Sequence, residues 1–158
     1  MIAYLDASAL VKRYVTERRS KETIELTTAA EVVATSMVSR AEVGAAFAKA
    51  VRSGLLSERQ ARNAQRTFAG EWQDLARIPV TEALVARAET LAWDHALRGY
   101  DAVQLASALT WQESVGTEIM LATFDRELWE AARQVGINAW PENLAEAAQG
   151  GAGPRTQS

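Results

Sequence analysis

A chain of 158 residues, 48% hydrophobic and 23% charged, has the composition of one ordinary globular domain. It contains no cysteine, which excludes disulfides, thiolate ligands and a cysteine nucleophile, and its single histidine argues against a histidine-rich zinc centre. The net charge of −3 lowers the expectation of a nucleic-acid partner without removing it. The N-terminal apolar stretch is too short for a secretory signal and is interrupted by Asp6, and no run approaches a membrane span. A soluble, cytoplasmic protein with no membrane partner is expected.

Residues 2–5 read as a buried strand, and Ala7 to Val15 as a helix rich in Ala, Leu and Val. A second helix is expected from Ser20, a possible cap, to about Ala30, followed by a strand at Val32–Ser36. The helix from about Arg40 to Arg52 places Val43, Phe47, Ala50 and Val51 on one face and Glu42 beside it. Ser57 opens a long helix to about Leu75, with Ala61, Ala64, Phe68 and Trp72 as one buried stripe and Arg59, Arg62 and Arg66 as a second, which reads first as a solvated face and also suits phosphate or an acidic partner. A short strand at Ile78–Val80 contains Pro79, which suits a sheet edge. Thr81 then begins a helix through His95, which falls on the apolar stripe and reads as a packed, hydrogen-bonded residue. Asp101 to about Glu113 is helical, Ile119 to Ala122 a strand, Arg126 to Val135 a helix stopped by Gly136, and Ile137–Ala139 a last short strand. The five tryptophans sit mostly where core or interface packing is expected. One domain is expected over 1–145, with a disordered tail over 146–158 rich in Gly and Ala.

Helices alternating with short apolar runs give a mostly parallel sheet covered on both faces. In such sheets, sites form beyond the carboxyl ends of strands, where strand order switches. Asp6 and Asp125 follow strands, Glu42 lies one turn into a helix that follows a strand, and Asp101 opens a helix that leads back into one, so all four acids are expected at one sheet edge. Each also has a local reading as a helix cap: Ser39-Arg40-Ala41-Glu42 and Asp101-Ala102-Val103-Gln104 both have capping-box spacing. Gathered at about 4 Å, carboxylates repel by roughly 4 kcal/mol per pair at an effective dielectric near 20, a cost that capping does not justify and a divalent cation removes. Taking four negative charges away from −3 leaves +1, so the remaining surface does not repel phosphate. Hard oxygen ligands favour Mg²⁺, with Mn²⁺ as the alternative.

The blocks Tyr4-Leu5-Asp6-Ala7-Ser8-Ala9-Leu10-Val11-Lys12, Ser39-Arg40-Ala41-Glu42, Tyr100-Asp101-Ala102-Val103-Gln104-Leu105-Ala106 and Thr123-Phe124-Asp125-Arg126-Glu127-Leu128 resemble the PIN-domain family, most closely the VapC toxins of bacterial toxin–antitoxin pairs. The resemblance spans about Met1 to Pro141. It implies a three-layer α/β/α fold with a short, mostly parallel central sheet, and a metal-dependent endoribonuclease that leaves a 5′-phosphate and a 3′-hydroxyl. It makes Asp6, Glu42, Asp101 and Asp125 the catalytic metal ligands, with Ser8 and Thr123 as hydroxyls that orient carboxylate or water. It implies an RNA substrate, a small antitoxin partner and a homodimer, formed through the long helix with Phe68 and Trp72. Where some relatives carry a further acid, only Glu127 is available. Arg13, Arg40 and Arg98 lie near the acidic blocks and suit either phosphate contacts or salt bridges. The competing readings are a PIN nuclease of RNA processing without an antitoxin, and a non-catalytic α/β binding module; the second would lack an acid, and all four are present.

Overall fold

The computed structural model describes residues 1–145; the tail expected over 146–158 lies outside the described residues. Strands β1 (Ile2–Leu5), β2 (Val32–Ser36), β3 (Ala76–Ile78), β4 (Met120–Ala122) and β5 (Asn138–Trp140) form one sheet in the order β3-β2-β1-β4-β5. Every pairing is parallel. The order runs one way from β1 through β2 and the other way through β4, so the switch point lies between β1 and β4.

Alternation along the central strands assigns the layers. Ala3, Leu5 and Ala122 point to one face and pack with side chains of α1 (Ala7–Val11), α3 (Ser39–Arg52) and α4 (Glu58–Glu71); α2 (Ser20–Ala29) adds Leu26 at its margin. Tyr4, Ala34 and Leu121 point to the other and pack with α5 (Glu82–His95), α6 (Gly99–Val115) and α7 (Arg126–Gln134). The result is the α/β/α sandwich with a parallel sheet that the alternating pattern predicts. Among the described residues, no helix is long and apolar enough to cross a membrane.

Several local expectations shift. The first helix stops at Val11, and residues 12–14 continue as tighter turns, with Arg13 N bonding Leu10 O and Tyr14 N bonding Val11 O. Arg19, in the left-handed region at φ 69°, takes the N-cap position of α2. Ser20 instead closes the preceding loop, its Oγ donating to Val15 O at 2.7 Å and accepting from Glu17 N at 3.0 Å. β3 lies at the expected sheet edge but two residues earlier, since Pro79 has no N–H to continue the ladder. His95 is a hydrogen-bonded packing residue, with Nδ1 2.9 Å from Gln134 Oε1.

The long helix has the expected buried stripe and solvated arginine face but not the expected partner surface. Ser57 and Gln60 form a reciprocal capping box at its start, and its arginine stripe faces water, with Arg62 on Glu58 and Arg66 on Asn63. Phe68 and Trp72 are not available to a partner. They are buried in this chain's own core, in edge-on contact with each other at 5.4 Å, and Phe68 also meets Tyr14 and Phe47. α5 and α6 carry three exposed large apolar side chains, Val85, Trp93 at 84% exposure and Tyr100.

Candidate active site at the switch point

The register that pairs Leu5 with Ala122 brings the residues after β1 and β4 side by side, and Asp6 N donates to Ala122 O at 3.2 Å. Asp6 caps α1 through Oδ1, which accepts from Ala9 N at 3.0 Å and from Ser8 Oγ at 2.7 Å; Oδ2 accepts from Thr123 Oγ1 at 2.7 Å. The two hydroxyls complete their bonds by accepting from the backbone of the β4–α7 loop: Ser8 Oγ from Phe124 N at 2.9 Å, Thr123 Oγ1 from Asp125 N at 3.0 Å. Asp6 is thus held from both sides and is only 5% exposed. Burial pushes its carboxyl up to about 6; the Thr123, Ala9 and Ser8 donors oppose that shift, and the charge of Glu42 adds to it.

Glu42 and Asp101 are not caps. Val38 precedes α3 without a side-chain bond, and Ser39 Oγ turns inward, 2.7 Å from Thr35 Oγ1. Glu42 Oε1 accepts from Gln104 Nε2 at 2.8 Å. Gln104, the residue expected to complete a box with Asp101, is buried, donates also to Ser39 Oγ at 2.9 Å and accepts from Tyr4 OH at 2.6 Å. This chain of bonds ties β1, α3 and α6 together beneath the acids. Sequence reading missed it because Ser39–Glu42 and Asp101–Gln104 fit capping spacing equally well; the one available signal is that Gln104 lies one turn from Asp101 on the same helical face. α6 starts two residues earlier than expected, at Gly99, so Asp101 sits inside its first turn. Desolvation, then the charge of Asp125, raise the Asp101 carboxyl, against a hydrogen bond from Arg98; desolvation, then the Asp101 charge, raise Glu42, against the Gln104 donor.

Asp125 caps α7 by accepting from Leu128 N at 2.9 Å. Its Oδ2 meets Arg98 Nη2 at 3.0 Å, and Arg98 Nε meets Asp101 Oδ2 at 3.0 Å. Oxygens of Asp101, Asp125 and Glu127 all lie within 4.8 Å of one another, so Glu127 joins this end of the site. The acids therefore form a string: Asp6 feels Glu42, Glu42 feels Asp101, and Asp101 feels Asp125 and Glu127. Of the other two arginines near acidic blocks, Arg13 pairs with Glu71 at 3.5 Å and Arg40 stacks 5.5 Å from the Trp72 ring, so neither bonds the string. A cleft of about 520 Å³ opens beside Ser8 and Glu42. Its walls include Val11, Ala46, Leu56 and Phe124, and its lining includes Lys12 and Lys49; Lys12 Nζ lies 4.5 Å over the Phe124 ring.

The PIN domain family model matches residues 3–134. Ribonuclease VapC45 and Ribonuclease VapC49, from two strains of Mycobacterium tuberculosis, are each 35% identical over 144 residues, 90% of this chain and 97% of theirs. Among solved structures, PAE2754 from Pyrobaculum aerophilum superposes with a TM-score of 0.62 at 22% identity, covering 94% of this chain and 90% of its own. Mycobacterium tuberculosis VapC20, described as a sarcin-ricin loop cleaving toxin, gives a TM-score of 0.61 at 18% identity, covering 85% of this chain and 95% of its own. VapBC2 from Rickettsia felis, solved with a promoter DNA fragment, gives 0.60 at 15% identity, covering 88% and 97%. With its parallel sheet, its acids at the switch point and relatives matched over nearly their whole length, the chain belongs to the PIN-domain family.

Proposed function

We propose that this chain is a divalent-metal-dependent endoribonuclease, the toxin of a toxin–antitoxin pair, with Asp6, Glu42, Asp101 and Asp125 as its metal ligands. The observation that carries this reading is the string of carboxylates at the switch point, whose shifted members all move toward the neutral form. A set of carboxylates that repel one another, all hard oxygen donors with no imidazole or thiolate, fits Mg²⁺ or Mn²⁺. The ribonuclease relatives at 35% identity support RNA as substrate. Bound at these residues, a divalent ion would supply charge neutralisation and polarisation at a phosphodiester.

The chain's own residues have distinct parts. Thr123 and Ser8 hold Asp6 in one rotamer and leave it no freedom to retreat from its neighbours. Gln104 orients Glu42. Lys49 offers positive charge for phosphates along the cleft, while Lys12 is held by Glu17 at 3.1 Å, and the apolar walls suit a base. The test is cleavage of a single-stranded RNA with Mg²⁺ or Mn²⁺ and with excess chelator. Loss of cleavage in chelator, restored by metal, is expected; full-rate cleavage in chelator would overturn the reading.

A solved structure of the same fold from Klebsiella pneumoniae, at 18% identity and a TM-score of 0.55, is a toxin–antitoxin complex, which supports a small antitoxin partner. The homodimer is better assigned to α5 and α6 than to α4. Trp93 is 84% exposed and follows Ala92, which with Val85, Ala88, Tyr100 and Val103 lines a cleft of about 330 Å³. A knob next to a hollow on one surface is self-complementary about a two-fold axis. Light scattering should give twice the chain mass of 17.2 kDa for the native chain and a single mass for Trp93→Asp.

A further inference from the structure

Arg98 is the residue immediately before α6, and its guanidinium bridges two acids that the fold brings together from different elements. Nε and Nη2 each lie 3.0 Å from one oxygen, Asp101 Oδ2 and Asp125 Oδ2. These two carboxylates, with Glu127, are the group whose oxygens approach one another within 4.8 Å. The arginine therefore occupies ligand atoms at this end of the string. Its side chain is nevertheless 74% exposed, whereas Asp101 and Asp125 are 12% and 24% exposed, so the cation reaches inward from water to anions held by the protein.

We propose that Arg98 is a displaceable counter-cation of the acid site: it pairs with Asp101 and Asp125 while no divalent ion is bound, and turns to the RNA phosphate once one is. The proposal rests on the reading of the acids as metal ligands. A guanidinium and a divalent ion compete for the same two oxygens and repel each other, so they do not share the site. A permanent structural clamp would be expected to be buried; an exposed pair is worth little and is released easily. Its exposure leaves the freed fork open to a substrate phosphate that would be bound at these acids. That planar fork matches two phosphate oxygens as it matches carboxylates.

The experiment is calorimetric titration of Mn²⁺ into the RNA-free chain and into Arg98→Gln and Arg98→Lys, followed by steady-state cleavage of one RNA substrate by the same proteins. Loss of the two exposed pairs should tighten Mn²⁺ binding by Arg98→Gln about two- to fivefold. The same variant should show a KM for RNA raised about tenfold, with Arg98→Lys between it and the native chain in both measurements. Equal or weaker Mn²⁺ binding by Arg98→Gln would overturn the displacement, and an unchanged KM would overturn the transfer to phosphate. Absence of Mn²⁺ binding by native and variant chains alike would instead remove the metal-site reading on which the proposal stands.

Discussion

The two ends of the acid string are built differently. Asp6 and Glu42 are held by neutral donors: two hydroxyls and a backbone amide for the first, a buried amide for the second. Asp101 and Asp125 are bridged by a cation that faces water. Neutral donors orient a carboxylate without cancelling its charge, so folding alone sets the geometry at the first end and leaves its electrostatic strain in place. At the second end, the charge is cancelled locally and reversibly. A site made this way has one rigid half that awaits a cation and one adjustable half that already has one.

The largest expected effect tests whether both halves are needed. Asp6→Asn and Asp101→Asn should each lower the metal-supported cleavage rate by more than about a thousandfold while circular dichroism stays native. Normal activity in either variant would reduce the site to the other half. Next comes pH. Asp6 titrates at about 6 in the folded chain against an ordinary 3.8, so the folded state holds this proton more tightly than the unfolded one. Its contribution to stability is complete below the ordinary value and is lost as pH rises through about 6, by up to about 3 kcal/mol. Glu42 and Asp101 shift the same way and add to the slope. Urea melts in chelator should show this fall, Asp6→Asn should flatten it, and saturating Mn²⁺ should oppose it. A flat profile for the native chain would mean that the rigid half is not strained.

Gln104→Leu sharpens the comparison further, because it leaves the Tyr4 hydroxyl and Ser39 without their shared partner and Glu42 without its donor. A loss of about 2 kcal/mol in the urea midpoint is expected, against less than about 1 kcal/mol for the exposed Arg98→Gln. Equal losses would erase the distinction between buried and exposed support. A smaller effect than that of Gln104→Leu belongs to Ser8→Ala, where Asp6 keeps Thr123 and Ala9 N. About 1 kcal/mol is expected in the same melt, and a loss several times larger would show that Ser8, rather than Thr123, fixes the carboxylate.

The sheet and the acids were legible because strand ends and carboxylates are adjacent in sequence: Leu5 runs into Asp6, and Ala122 into Asp125 after two residues. What lay beyond reach was the direction of side chains whose partners are distant. Ser39 and Gln104 have the spacing of local caps, yet they face each other across 65 positions. Phe68 and Trp72 have the stripe spacing of an interface as readily as of a core, and only the aromatic contacts with Tyr14 and Phe47 decide it. Trp93 carries no warning of its exposure, since its helix buries Leu84, Ala88 and Leu91 on another face. Arg13, Arg40 and Arg98 were equivalent by proximity; the loop before α6 singles out the last.

β1 sits between β2 and β4, so the second strand it needs comes from the far end of the chain. Asp6 is made well before Thr123 and Asp125, which complete its surroundings. At roughly 5–20 residues per second, a ribosome spends about 6–24 s between the two. During that interval Asp6 can be solvated and harmless, with no Thr123 to fix it and no Asp101–Asp125 pair beside it. Placing the first acid on the central strand thus acts as a timer on synthesis: the site that would cut RNA cannot assemble until its last acid, about 120 residues further on, has been translated.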